Sequence, residues 1–462
     1  MAQSTIDQAK ATSLDWLEKT NARFAKVSRD IWEFAELGLY EFKSSDLMVS
    51  ELKSSGFTME RGQARMPTAF VGTYSHGSGK PMIGIVAEFD ALPGLHLEKP
   101  NEPGHGCGHN IYGTGSLAAA IAVKEAMAKH HIDGTIKLFG TPSEDTHGGK
   151  VWMVREHVFD GSDVILGWHP MTQNKTSWGG TLAVQILEID FHGQTAHAGA
   201  EPEKGRSAVD AMQIFTIACE FLREHMTEQM RIQYIFTAGG RAPNVVPDFA
   251  QCRMALRGPS MVAVEQLRSR DGGIDDCARA GALATGTRAE IKVIGAFYED
   301  IPNKAGALLA YENMKATSAP KFTDEEKAFA KSKGYDFIDE TIHESDDTKT
   351  RASHDTGDVS WMAPLISVRT TCKPKDCPGH HIDATAFYGM SIGQKGMIYA
   401  AKILAATSLD LMMDSEKLKA VTTEFKERLA TAPPYHAVIP ADSWPPIPKE
   451  NPPDFQGPSP PA

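Results

Sequence analysis

The apolar positions of this chain change period along its length, and the changes divide it into segments. Residues 8–57 carry Trp16, Leu17, Phe24, Ile31 and Phe34 at near-helical spacing, which predicts an amphipathic helix. LMVSELKSSG predicts a second helix, closed by Gly56. The runs AFVGTY (69–74) and MIGIVAEFD (82–90) read as strands. The second is almost wholly apolar before its acidic end, as in a strand buried on both faces. GTGSLAAAIAVKEAMAKHH predicts a helix of small residues. TIKLFGTPSED (135–145) predicts a strand ending in acids, VWMVREHVF a helix, and DVILGWHP (163–170) a strand ending in a histidine. Strand alternating with helix predicts an α/β sheet. In successive units the residues able to do chemistry fall at the strand's C-terminal end, where open α/β sheets bind ligands.

Near residue 183 the pattern changes. LAVQILEIDFHG alternates like a half-buried strand, and RSAVDAMQIFTIACEFLREHM predicts a long amphipathic helix. QYIFTAGG, FAQCRMALRG and RAEIKVIGAF predict strands, with one helix over MVAVEQLRSRDGGIDDCARAGAL. Strand–helix–strand–strand–helix–strand suits a small α+β unit with an antiparallel sheet. Beyond 297 the mixed pattern returns, with an apolar helix over Met390–Ser408. The expectation is therefore an α/β body over 1–183 and 297–432, interrupted by an α+β unit over 184–296. A Pro-rich tail follows over 433–462, its first part packed on the body through Tyr435 and Trp444.

Length supports two units, because 462 residues exceed the ~250–300 at which single cores stop growing. With 41% hydrophobic and 23% charged residues, a disordered or fibrous chain is excluded. The net charge of -12 argues against nucleic acid as the main partner. No apolar run of about 18 residues stands out, which argues against a membrane span. The N-terminus lacks a basic stretch followed by an apolar one, so no signal peptide is read and a cytoplasmic location is expected. Six scattered cysteines do not make a disulfide framework. Cys107 alone is unusual, set in GHGCGHN two residues before His109.

The strand-end residues Asp90, Cys107, His109, Glu144, Asp145 and His169 combine thiolate, imidazole and carboxylate. That donor set fits Zn, Mn, Co or Ni rather than Mg or Ca. One glycine separates Cys107 from His109, and an extended loop there turns both side chains toward one ion. Two ions bridged by a carboxylate are one arrangement. Glu144 and Asp145 are adjacent, so one can bind metal while the other faces the water as general base. His380 and His381 are candidates to return a last ligand. Singly, each residue has an ordinary explanation. A strand-end Asp caps a turn or helix, Cys107 packs as a small hydrophobe, and His169 or His105 sits in a core or loop. Their joint placement carries the reading. A closed structural zinc site is disfavoured by the carboxylates and the wide spread of ligands.

GIVAEFDALPGL, GHGCGHN, GTPSED, GWHP, FHGQTAHAGAEPEKGRSAVDA, GGRAPNVVPDFA and PGHH, in that order, resemble the M20 metallopeptidases. Within them the likeness is to the aminoacylase-like amidohydrolases with a Cys-Gly-His site. IPNKAGALLAYENM, HDTGDVSWMAP and SIGQKGMIYAAK extend it over about residues 15–430. The resemblance implies an aminopeptidase-like di-metal catalytic domain, a mixed sheet flanked by helices, with an inserted ferredoxin-like lid that also dimerises. It implies Cys107, His109, Asp145, His169 and His380 as ligands of two divalent ions, Mn or Zn before Co or Ni. The Pro-Gly-His register favours His380 over His381. It implies Glu144 as the general base, and His197, Asn244 and Arg257 as substrate-binding residues. His197 is expected to reach a neighbouring subunit's site, and Asp355 and Asp358 to orient loops. One departure stands out: relatives pair two glutamates where this chain has Glu144 and Asp145.

The implied reaction is hydrolysis of the amide bond of an N-acyl amino acid. p-Aminobenzoyl-glutamate or a similar aryl or acyl conjugate comes first, with an indoleacetyl-amino acid or a dipeptide as alternatives. A homodimer through the lid is expected, or an assembly with a related subunit. The competing reading is a catalytically weak partner subunit whose Asp145 marks a degenerate site. Metal content and activity of the isolated chain separate the two.

Overall fold

The computed structural model describes residues 3–440 and 442–447. Two sheets organise it. The larger has seven strands: β1 (Thr58–Arg61), β2 (Phe70–His76), β3 (Met82–Ala87), β4 (Gly134–Gly140), β5 (Val164–Met171), β6 (Lys175–Thr176) and β11 (Leu365–Thr371). Their order is β1-β2-β4-β3-β5-β11-β6. The central β4, β3, β5 and β11 run parallel, and β1, β2 and β6 make the pairings antiparallel toward the edges. The apolar β3 is flanked on both sides and covered by helices, as its composition predicts.

Three long helices, Gln3–Phe34, His109–His130 and Ser391–Met413, pack together over this sheet. Small residues let the second come close. A Cβ on Gly113 would lie 2.5 Å from the Glu88 carbonyl oxygen, and one on Gly115 2.8 Å from the Trp168 ring. Ser391–Met413 is long and apolar enough to cross a membrane by composition, yet 94% of its apolar window is buried inside the fold. It is a core helix.

The second sheet is antiparallel: β7 (Ala183–His192), β8 (Arg231–Gly239), β9 (Phe249–Gly258) and β10 (Arg288–Phe297), in the order β10-β7-β9-β8. Helices Ala208–Leu222 and Ile274–Thr285 cover one face, and this layer has its own apolar cluster. The single helix expected over residues 261–283 is two, Met261–Ser269 and Ile274–Thr285. Asp271-Gly272-Gly273 breaks it, with Gly272 at φ +71, a conformation that glycine adopts without strain.

Other boundaries also moved. The first helix ends at Phe34, where Ala35 turns to φ 44, and a separate helix spans Phe42–Ser54. The strand read over 82–90 stops at Ala87, and that over 135–145 stops at Gly140. Their acidic ends lie in the loops that follow. The first part of the tail packs on the body as expected, and residues 448–462 lie outside the described residues. Tyr435 Oη donates to Asp358 Oδ1 at 2.9 Å, and Arg65 lies over the Trp444 ring at 4.6 Å.

Candidate active site

Four connections at the C-terminal ends of the parallel strands converge. After β3 come Glu88 and Asp90; after β4 come Glu144 and Asp145; His169 sits within the end of β5; the loop after β11 brings His380. Cys107 precedes the helix that starts at His109. The extended loop expected there is instead a sharp helix entry. Gly108 adopts φ +81, so His109 occupies the first turn of a buried helix. Ser143 (φ 60) and His380 (φ 53) are left-handed non-glycine residues, and each positions a site side chain. Such backbone persists where surrounding contacts hold it and clusters at functional sites. Ser143 is held by its N–H, which donates to Glu41 Oε1 at 2.8 Å, and His380 by its N–H to the Gly106 carbonyl at 3.1 Å.

Cys107 stands at the middle. Its Sγ is 3.6 Å from His169 Nε2. Ligand-type atoms of Cys107, His109 and His169 lie within 4.8 Å of one another, and so do those of Cys107, Asp145 and His380. These two triads share the thiol, and further triads set His109 with Asp90 and Asp145 and with Glu88 and Glu144. His380 Nε2 is 3.3 Å from Asp145 Oδ1. His381 instead caps the helix Ile382–Tyr388, with Nδ1 accepting from the Asp383 N–H. Asp90 is spent on His109: its Oδ1 lies 2.7 Å from Nδ1. That contact fixes the ring and leaves Nε2 buried with no hydrogen-bond partner. A ring nitrogen oriented by a carboxylate on its far side is the arrangement of metal-binding histidines. Asp145 Oδ2 is likewise buried without a partner. These orphaned atoms and this donor set fit two divalent ions. His105 is buried apart, with Nε2 on the Ile31 carbonyl, and burial together with His109 pushes it down to about 3.

The charges explain one another. Burial and Asp145 push the Cys107 thiol up, but His109 and His169 outweigh them and hold it at about 5. Hydrogen bonds to Asp145 and Cys107 raise His380 to about 10. Burial drives the Glu144 carboxyl well above the usual range, although His354 opposes it. Burial also raises Asp145, but His109 and His380 bring it below its ordinary value.

Three residues here escaped the sequence reading. Lys150 is completely buried, with Nζ 2.6 Å from Glu88 Oε1 and 2.8 Å from Asp355 Oδ1. His354 Nε2 faces Glu88 Oε1 at 3.4 Å and Glu144 Oε1 at 3.5 Å. Glu88 Oε2 lies 3.3 Å from His109 Nε2. Glu88 was legible as a second acid two positions before Asp90. His354 opens the run HDTGDVSWMAP, and Lys150 carried no signal.

A cavity of about 1200 Å³ opens over the cluster, lined by Cys107, Glu144, Asp145, His169 and His380. Arg231 on β8, Arg257 on β9, and Lys349 and Arg351 line it too. Arg257 Nη1 donates to Ser353 Oγ at 2.8 Å, and Nε donates to Gln233 at 3.2 Å. His197 and Asn244 do not line this cavity. Both are exposed on adjoining loops of the smaller sheet, where the Asn244 carbonyl accepts from Ala198 N and His197 Nδ1 from Gly199 N and Ala200 N.

Acids beside clusters of thiol, imidazole and carboxylate able to hold two ions, at the open end of a mixed sheet, are the arrangement of a di-metal hydrolase. Residues 84–384 match the Peptidase family M20/M25/M40, and the chain belongs to that family. It is 34% identical to one of the subunits of the p-aminobenzoyl-glutamate hydrolase of Escherichia coli (strain K12), over 93% of this chain and 97% of that protein. It is 27% identical to the Xaa-Arg dipeptidase of Mus musculus, over 92% of this chain and 94% of the other. Among solved structures, a dinuclear metal-binding peptidase of the M20 family from Bacillus subtilis superposes with a TM-score of 0.60 at 16% identity, over 86% of this chain and 99% of that one. The chain is accordingly a metal-dependent amidohydrolase of the peptidase type, and its site accommodates two divalent ions.

Proposed function

We propose that this enzyme cleaves the amide bond of an N-acyl amino acid whose amino-acid part is acidic, p-aminobenzoyl-glutamate before any other. The observation that carries the reading is one cavity lined both by the thiolate–imidazole–carboxylate cluster and by Arg231, Arg257, Lys349 and Arg351. A substrate with a carboxylate beside its scissile amide matches that pairing, and a glutamate supplies two carboxylates. The name of the relative from Escherichia coli points the same way. An indoleacetyl-amino acid or a dipeptide is the alternative substrate.

In this reading Cys107, His109, Asp145, His169 and His380 hold the two ions, Mn or Zn before Co or Ni, as the family resemblance implies. Bound there, the ions supply Lewis acidity to the carbonyl and lower the pKa of water. Glu144 takes the proton of the attacking water and delivers it to the leaving nitrogen. Its burial suits that task, since a raised proton affinity lets it hold the proton between the two transfers. Arg257 binds the free carboxylate. The unit over 184–296 acts as a lid and dimerises, so that His197 and Asn244 complete the partner's site. Exposed Ile217, Phe221, Ile235 and Phe236 on the outer helix and on edge strand β8 support that dimer. Assembly with a related subunit is the alternative. Six free cysteines suit a reducing, cytoplasmic location.

The test is a hydrolysis screen of the purified chain with Mn, Zn and Co against p-aminobenzoyl-glutamate, indoleacetyl-aspartate, N-acetyl amino acids and dipeptides. Glu144→Gln should abolish turnover while leaving metal content unchanged. Turnover at the wild-type rate in that variant defeats the assignment. Near two metals per chain, with activity from this chain alone, removes the partner-only reading.

A further inference from the structure

Behind the main cavity lies a smaller one of about 190 Å³. The two share His169 and His354, so the small cavity adjoins the metal-ligand cluster. Its floor is one face of the parallel pair β5 and β11. Leu365, Ser367 and Arg369 alternate along β11, and on β5 Gly167 pairs with Ser367 and His169 with Arg369, with Met171 two residues further on. Its walls are mostly apolar. Tyr112 and Trp168 both line it, stacked with centroids 5.6 Å apart and planes at 17°, and Met171 and Leu365 add aliphatic surface.

Polar side chains interrupt those walls, Asp300 and Arg369 among them, and some of their atoms are left without a hydrogen-bond partner. Asp300 keeps a buried Oδ1 with no hydrogen-bond partner. Arg369 lines the same space, and among the described residues its guanidinium makes no hydrogen bond or ion pair. A largely enclosed guanidinium and an orphaned carboxylate oxygen are costly unless a ligand completes them. The volume sets the size of that ligand. An engineered apolar cavity of ~150 Å³ accepts benzene, so this space holds one six-membered ring with a small substituent and is too small for a bicyclic ring. A ring here lies among aromatic walls with a cation within reach of its face. A donor on the ring supplies what Asp300 lacks.

We infer that this cavity is the acyl subsite and selects a single aromatic ring carrying a hydrogen-bond donor, an aminoaroyl group, read by Asp300 and Arg369. The inference rests on the amide-hydrolysis reading above and narrows its substrate. Carboxylates of the amino-acid part occupy the cationic cavity, the scissile amide lies at the metal-ligand cluster, and the ring enters beyond His169 and His354.

The test compares kcat/KM for p-aminobenzoyl-glutamate, benzoyl-glutamate and indoleacetyl-glutamate on the Mn-loaded enzyme. Alongside it, titration calorimetry measures free p-aminobenzoate and benzoate on protein stripped with EDTA. The wild type should favour the amino-substituted ring over the plain ring by about tenfold or more, the effect of one buried hydrogen bond. The indole conjugate should be poorer still. Asp300→Asn should collapse the amino preference. Ser367→Leu, which fills the cavity from a position that already faces it, should abolish p-aminobenzoate binding. Equal rates for the two benzoyl substrates in the wild type, or a preference and a binding constant untouched by both variants, overturn the subsite. If no amide is cleaved with any metal, the amidohydrolase reading fails. The p-aminobenzoate titration still decides whether the cavity takes the ring.

Discussion

Replacing Lys150 with methionine removes a lysine buried beneath the active site while roughly keeping its length. Lys150, Glu88 and Asp355 are all sealed from solvent, so no screening discount applies. The ammonium bridges the two carboxylates, and its backbone N–H also donates to Asp355 Oδ2 at 3.0 Å. Without it, His354 is the remaining cation in contact with both, 3.4 Å from Glu88 and 3.7 Å from Asp355. Breaking a buried ion pair from one side costs about 3–5 kcal/mol. At about 2.1 cal/mol/K per residue of unfolding entropy, the whole chain's thermal midpoint should fall by about 3–5 °C. The effect also carries a pH signature. In the wild type, burial raises Glu88 but Lys150 and His354 hold it well below the usual range. A depressed carboxylate contributes stability above its unfolded pKa of about 4.3, and that contribution is lost as pH falls through the folded value. In the variant burial dominates, Glu88 is raised, and a penalty develops as pH climbs past about 4.3. The gap between the proteins is therefore widest near neutrality and narrows in acid. Thermal melts in EDTA at several pH values measure it. A gap below about 1 kcal/mol, or one equal at acid and neutral pH, refutes the reasoning.

Cys107 in metal-free protein should react with iodoacetamide at a nearly constant rate from about pH 6 to 9, slowing only toward its value of about 5; a tenfold rise per pH unit above neutrality contradicts the assigned environment. Arg257→Ala should raise KM by about tenfold with kcat little changed, because half-buried Arg257 offers a charge-assisted hydrogen bond to the substrate before and during reaction. Steady-state kinetics with an unchanged KM would remove it from the binding surface. Phe221→Glu places a charge on a side chain 70% exposed on the outer helix and should convert a dimer to monomer by light scattering; an unaltered mass shows that the interface lies elsewhere.

The centres of the strands were readable because a run such as Ile83–Ala87 has no face to show to water. The ends were not, because they depend on single φ values at Ala35, Gly108 and Gly272 that the apolar pattern does not encode. The cluster of Cys107, His109, Glu144, Asp145, His169 and His380 was legible because short runs in fixed order carry it. Lys150 was not. A lysine after two glycines reads as a surface cation, and its burial arises only where it meets Asp355, 205 residues away. His354 carried no ligand spacing in the sequence, and its contact with Glu144 depends on the fold of residues 350–356. His197 and Asn244 remained legible as a pair, yet they meet each other's loops rather than this chain's own cavity.

The position of Lys150 also explains why the remaining acids stay available. Glu88, Asp90, Cys107, Glu144, Asp145 and Asp355 put six potential anions into a nearly dry region, and they repel one another. Lys150, with His354 beside it, offsets the inner two, Glu88 and Asp355, from below. Asp90 is held by the His109 ring and by the Asp145 backbone N–H at 3.1 Å. That leaves Cys107, Glu144 and Asp145 on the cavity side, facing histidines that have no lone pair to give a metal while both ring nitrogens are protonated. His109 and His380 face this outer layer with raised proton affinities, and in the proposed reading divalent ions would displace those protons. In that reading a lysine fixed beneath the cluster keeps Glu88 and Asp355 from competing for the ions, and the acidity near the site is divided between a permanent cation and exchangeable ones.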